Sequence, residues 1–208
     1  MNCSSDSIKQ VNSLTQAGLA AQNFRSTSLQ LQLVEEVTLL KIHSLESVGS
    51  STMSLAGSDL MLPMTTGQSF GSDPAALCLR PQEWMLFSEI QDGACMMSDL
   101  QAAFDPLRTA LIDLSHGLTV FRLSGPGAPW LLSKLSCLDF LFGHSGTQHC
   151  ARTRIGHSSV LVHYHQAGDD KFCFDLIFDR SIAKYMWALL TESSAHADDL
   201  TATHASRL

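Results

Sequence analysis

Apolar and polar positions first alternate at Leu29, Leu31 and Leu33, with Gln30 and Gln32 between them, and a second apolar run, Val37 to Leu45, follows Glu35-Glu36. This period-two spacing predicts two consecutive strands, or one long bulged strand. Ala76 to Leu79 and Trp84 to Phe87 flank Arg80-Pro81-Gln82-Glu83, a hairpin with Pro at the second position of its turn. The period then changes. Leu100, Ala103, Phe104 and Leu107 fall at i, i+3, i+4 and i+7, one face of a short helix with Ser98 and Gln101 as a capping box and Pro106 near its end.

Residues 108–136 are the most strongly patterned stretch. Two apolar runs, Ala110 to Leu114 and Leu118 to Leu123, enclose Ser115-His116-Gly117, and Ser124-Gly125-Pro126-Gly127 leads into a helix bearing Leu131, Leu135 and Leu138. The reading is strand, turn, strand, tight turn, helix, a unit able to form a compact buried core. Pro126 and Pro129 suit the helix start, where the first amides have no intrahelical partner. Ser159 to His165 and Lys171 to Phe178 predict a second hairpin. Asp179 then caps a final helix whose face is Ile182, Tyr185, Met186 and Leu189.

From Ala110 onward the order is strand, strand, helix, strand, strand, helix. That is the α+β class, mostly antiparallel sheet with helices packed on one face, built from split-βαβ-like units. The chain divides into a polar N-terminal arm (1–27), one α+β domain (28–192) and a polar C-terminal tail (193–208). Within the domain, 46–74 is dense in Ser, Gly and Thr and is expected to be irregular.

Composition narrows the function classes. The chain has 208 residues, 45% of them hydrophobic and 16% charged, which is globular rather than disordered. A formal charge of −7 without any Lys/Arg cluster argues against nucleic-acid binding. No apolar run is long enough for a membrane helix, and the first residues lack the features of a secretory signal, so a cytoplasmic protein is expected. The six cysteines are scattered, without a CxxC pair, and are read as reduced thiols. No dinucleotide or phosphate-loop fingerprint is present.

Candidate chemistry is sparse. His144, His149, Cys150, His157, His163 and His165 cluster in sequence, and His163 and His165, two apart on a strand, share a face. They could hold a metal with His149 or Cys150. The competing reading places Leu161, His163 and His165 on a polar, partly exposed face while Val160, Val162 and Tyr164 pack inward, and no spacing matches a standard zinc motif. Asp113, Ser115 and His116 are too close in sequence for a catalytic triad and better suit a strand end whose polar groups satisfy the turn. Arg152 and Arg154 share a strand face that could grip an acidic partner loop, and Trp84, Trp130 and Trp187 are candidate interface anchors alongside their packing role.

Four blocks together resemble the gamma subunit of heterotetrameric sarcosine oxidase: Leu77 to Phe87 (LCLRPQEWMLF), Asp113 to Pro126 (DLSHGLTVFRLSGP), Cys150 to Gly156 (CARTRIG) and Phe174 to Trp187 (FDLIFDRSIAKYMW). They occur in that family's order over roughly residues 75–190. The resemblance implies the fold of the aminomethyltransferase folate-binding domain and a non-catalytic subunit that stabilises alpha. It also implies alpha, beta and delta partners. FAD, FMN, NAD and tetrahydrofolate would be held by alpha and beta and zinc by delta, with no catalytic, cofactor or metal residue in this chain. Two alternatives stand beside it, a free-standing folate-binding or one-carbon-transfer protein and the equivalent subunit of an N-methylglutamate dehydrogenase-like complex.

Overall fold

The structure, a computed structural model, describes residues 23–46, 52–55, 58–89, 93–140, 149–167 and 170–196. Two antiparallel sheets lie face to face. The six-stranded sheet has the order β1 (Phe24–Arg25), β2 (Gln30–Val34), β10 (Leu118–Ser124), β13 (Asp170–Asp179), β12 (Ser158–Ala167), β11 (His149–Ile155). The five-stranded sheet has the order β6 (Ser69–Phe70), β7 (Ala75–Arg80), β8 (Glu83–Ser88), β3 (Thr38–Ser44), β9 (Thr109–Asp113). A separate hairpin joins β4 (Thr52–Leu55) to β5 (Ser58–Met61).

Side-chain alternation explains the layers. Phe121 and Leu123 of β10, with Phe174, Leu176 and Phe178 of β13, turn outward against helices α2 (Ala128–Leu135) and α3 (Ala183–Ser193). Their neighbours Val120 and Ile177 turn the other way, meeting Leu39, Leu77, Met85 and Phe87 of the second sheet. The far face of that sheet, with Leu40, Ile42 and Trp84, packs on Met96 and Leu100 of helix α1 (Gly93–Ala103). Each sheet therefore carries its helices on one face, and the inter-sheet layer is enclosed on both sides. The sheets also meet along an edge, where Gln68 pairs with His149 and Cys150 N–H donates to Gly67 C=O at 2.7 Å.

The 108–136 stretch does not fold as one packed unit. β9 is an edge strand of the five-stranded sheet, with Ile112 44% exposed, whereas β10 is central in the other sheet. The Ser115-His116-Gly117 turn carries the chain between sheets. Leu39 N–H donates to Ser115 Oγ and Ser115 N–H to Asp113 Oδ1, each at 2.9 Å, so these polar side chains do satisfy strand-end backbone. Likewise Glu36, at φ 59°, turns β2 in one sheet into β3 in the other.

Other boundaries moved for identifiable reasons. α1 starts at Gly93 and stops at Ala103, short of Pro106, whose ring excludes the α conformation from the preceding residue. Leu107, expected on its buried face, is 88% exposed. α3 is rotated by one residue from the expected face. Ala183, Met186, Trp187 and Leu190 are buried, while Tyr185 is 42% exposed, because the Asp179 cap first builds a 3-10 turn over Arg180–Ile182. Part of the 46–74 stretch expected to be irregular is strand, namely β4, β5 and β6. Most of the N-terminal arm, the 143–146 glycine loop and the tail after His196 lie outside the described residues.

The Ser124-Gly125-Pro126-Gly127 turn is a point of close approach. Gly125 has φ +106°, and a Cβ there would lie 2.6 Å from Ser28 C=O. Gly125→Ala is expected to cost roughly 2–3 kcal/mol in urea unfolding, from the forbidden backbone region and the displaced Ser28 backbone. No described helix is long and apolar enough to cross a membrane.

Candidate functional site

One row of directly paired residues crosses the six-stranded sheet on its inter-sheet face. Gln32 of β2 is opposite Arg122 of β10, Arg122 opposite Asp175 of β13, Asp175 opposite His163 of β12, and His163 opposite Cys150 of β11. All face the second sheet, because Arg122 and Asp175 lie two residues from the inward Val120 and Ile177. His165, two residues beyond His163 on the same face, completes the group.

Asp175 is the hub, fully buried at 0% exposure. Its carboxylate accepts from Arg122 Nε at 2.7 Å and Arg122 Nη2 at 3.0 Å, a two-point grip, and its Oδ2 lies 2.8 Å from His165 Nε2. Arg122 Nη2 also donates to Glu89 Oε1 at 2.8 Å, so the guanidinium ties the sheets together. The His163 and His165 rings stack, with centroids 5.0 Å apart and planes 27° from parallel.

The electrostatics follow from burial opposed by pairing. Burial alone would raise the Asp175 pKa, but hydrogen bonds from His165 and Arg122 hold it down at about 2. Burial would lower that of His165, yet Asp175 and Cys173 as hydrogen-bond partners push it up to about 9. His163 has no such partner. Burial and the neighbouring His165 charge press it down to about 3, leaving a neutral ring. A protonated His165, a neutral His163, an ionised Asp175 and an Arg122–Glu89 pair therefore line one small pocket of about 40 Å³, bordered by Gly71 and Phe87.

This corrects the expectation that Leu161, His163 and His165 line a partly exposed face. The second sheet covers that face, and His163 is 2% exposed. The two histidines meet Asp175 rather than His149 or Cys150. Cys150 instead directs its thiol to the carbonyls of Gln68 and Cys78, and burial raises its pKa to about 12, with no sign of an activated nucleophile. The described cysteines are all free thiols, as expected.

Of the expected interface residues, Arg152 and Arg154 lie exposed on edge strand β11, with Arg154 Nη2 donating to His157 C=O. Trp130 is half-buried against the outer core under Lys134 Nζ, which lies 5.5 Å from its ring centroid. Trp187 is buried and stacks edge-on against Phe121. Trp84 is 1% exposed, its indole N–H donating to Pro63 C=O at 2.7 Å, so its ring serves the interior of this chain. Arg122, Asp175 and Glu89 were not singled out from the sequence. The available signal was a lone charge in each of two otherwise apolar runs, VFRLS and FCFDLIF, since unpaired Arg and Asp are almost never fully buried.

A model of the sarcosine oxidase gamma subunit family matches residues 51–196. The chain belongs to that family. Among solved structures, a chain of the heterotetrameric sarcosine oxidase from Corynebacterium sp. U-96, in complex with pyrrole 2-carboxylate, is 21% identical. The match covers 89% of this chain and 95% of that one with a TM-score of 0.71. The glycine cleavage system aminomethyltransferase T from Bartonella henselae is 13% identical, with 78% of this chain and 45% of that one covered and a TM-score of 0.55. Comparison with curated protein sequences finds no significant match. Membership of the gamma family and the paired sheets with their outer helices agree with the α+β, aminomethyltransferase-like fold expected from the sequence.

Proposed function

We propose that this chain is the gamma subunit of a heterotetrameric sarcosine oxidase-type flavoenzyme, packed against the large alpha subunit and stabilising it. The enzyme demethylates sarcosine oxidatively, with tetrahydrofolate accepting the one-carbon unit, and FAD, FMN, NAD and the folate are held by partner subunits. The observation that carries this reading is the family match over 51–196, joined by the fold likeness over 89% of the chain to a heterotetrameric oxidase. The buried Arg122–Asp175–His165 set supports it too, since those charges neutralise one another inside the sheet layer rather than facing a substrate-sized cleft.

Co-expression tests the assembly. Untagged chain is expected to co-purify in equal amount with tagged alpha subunit when beta and delta are present, and a chain that elutes alone contradicts the proposal. Within the complex, Arg152 and Arg154, both exposed on β11, would grip an acidic partner loop. Reversing both to Glu is expected to slow association roughly tenfold or more at low salt, an effect that shrinks as salt rises.

The likeness to an aminomethyltransferase gives a second reading, a free-standing folate-binding or one-carbon-transfer protein. Calorimetry with tetrahydrofolate separates the two. Micromolar binding to the isolated chain favours this second reading, and no binding favours the subunit.

A further inference from the structure

His163 is not explained by packing. Its ring is 2% exposed, yet neither Nδ1 nor Nε2 has a hydrogen-bond partner. Buried polar groups are nearly always paired, and an orphaned one costs about 1–3 kcal/mol. The imidazole borders the same small pocket of about 40 Å³ as His165 and Asp175, room enough for an ion and a water.

We infer that His163, His165 and Asp175 are the protein ligands of a divalent first-row metal ion held between the two sheets, with zinc the best fit to the donor set. Two imidazole nitrogens and one carboxylate oxygen form a set that suits zinc, leaving a fourth position for water. The three ligand atoms all lie within 4.8 Å of one another. Asp175 Oδ2 is 2.8 Å from His165 Nε2 and 3.9 Å from His163 Nδ1. Donors around a tetrahedral zinc with bonds near 2.0–2.1 Å sit about 3.3 Å apart, so the His165 contact to Asp175 opens by about half an ångström, the His163 contact closes by about as much, and rotation of the stacked rings brings together the two imidazole nitrogens, now up to 4.8 Å apart. The ion takes the place of the proton in the His165–Asp175 hydrogen bond.

Arg122 supports this geometry and also opposes it. Its Nε holds Asp175 Oδ1 at 2.7 Å and its Nη2 reaches Oδ2 at 3.0 Å, orienting the carboxylate as an outer-sphere partner does while Oδ2 keeps its second lone pair for the metal. Its positive charge repels the ion, and Glu89, accepting from Nη2 at 2.8 Å, offsets that repulsion. The ligands come from two strands of one hairpin rather than from a local run, which is why their spacing matches no zinc motif. Bound there, the ion would clamp β12 to β13 at the centre of the sheet.

The test uses the full, untagged chain, stripped with a chelator and titrated with Co²⁺. One saturable equivalent with visible ligand-field absorption is expected, displaced by Zn²⁺. His163→Gln should weaken binding about 100-fold or more, beyond the 10–100-fold typical of outer-sphere changes, while His157→Gln, at an exposed position, leaves it unchanged. X-ray absorption of the wild-type Co²⁺ complex should show scattering from two imidazoles, a readout independent of whether the variant folds. No saturable binding, equal binding by His163→Gln and wild type, or a first shell without imidazole would each overturn the inference.

Discussion

Asp175→Ala is expected to lower the unfolding free energy by about 3–5 kcal/mol, the usual cost of removing one partner of a buried ion pair. The size comes from what remains. Arg122, with a side chain only 15% exposed, would lose its two-point acceptor and keep only Glu89, and His165 would lose the carboxylate that holds it protonated. Urea unfolding of the wild type and variant measures the difference, and a change under about 1 kcal/mol would mean that the pair is not formed in solution. The double variant Arg122→Met/Asp175→Leu should recover much of the loss, because an apolar pair of similar volume escapes the desolvation cost.

The second large effect is on the pH dependence of stability in chelator-treated protein. His165 is raised from 6.5 to about 9 in the fold, so its contribution is complete below 6.5 and is lost as the pH rises through 9. His163 is lowered from 6.5 to about 3. Below 6.5 the unfolded chain therefore takes up a proton that the folded chain refuses, and stability falls towards acid. Asp175, held at about 2, adds a further loss as the pH drops from near 4 through 2. Stability should thus peak near pH 6.5 and fall on both sides, at 1.36 kcal/mol per pKa unit by about 3 kcal/mol on the alkaline limb and by roughly twice that on the acid limb, where His163 and Asp175 add. His165→Gln is expected to flatten the alkaline limb and His163→Gln the upper part of the acid limb. A profile level from pH 5 to pH 9 would contradict the charge assignments.

Most strands and both hairpins were legible because a strand buried on one or both faces writes its period into the sequence. Leu29 to Leu33 alternate, and Phe172 to Phe178 place their aromatic residues on one face. Strand partnership was not legible. The runs of β9 and β10 look like one hairpin around Ser115-His116-Gly117, yet they belong to different sheets, and only long-range pairing with Leu40 to Ser44 places β9 at an edge. The same blindness hid the polar row. Arg122 is far from Asp175 in the chain, and Asp175 meets it and His163 only through strand register, which a single sequence does not encode locally. His163 and His165 were visible as a same-face pair. Their burial was not, because the covering layer comes from Phe87 and its neighbours in the other sheet.

As a gamma-family chain, this protein is proposed to be a structural member of a multisubunit sarcosine oxidase. Sarcosine turnover by alpha, beta and delta co-purified with and without this chain tests it most directly. Stable, active enzyme is expected only when the chain is present. Equal yield and equal turnover without it would contradict the claim.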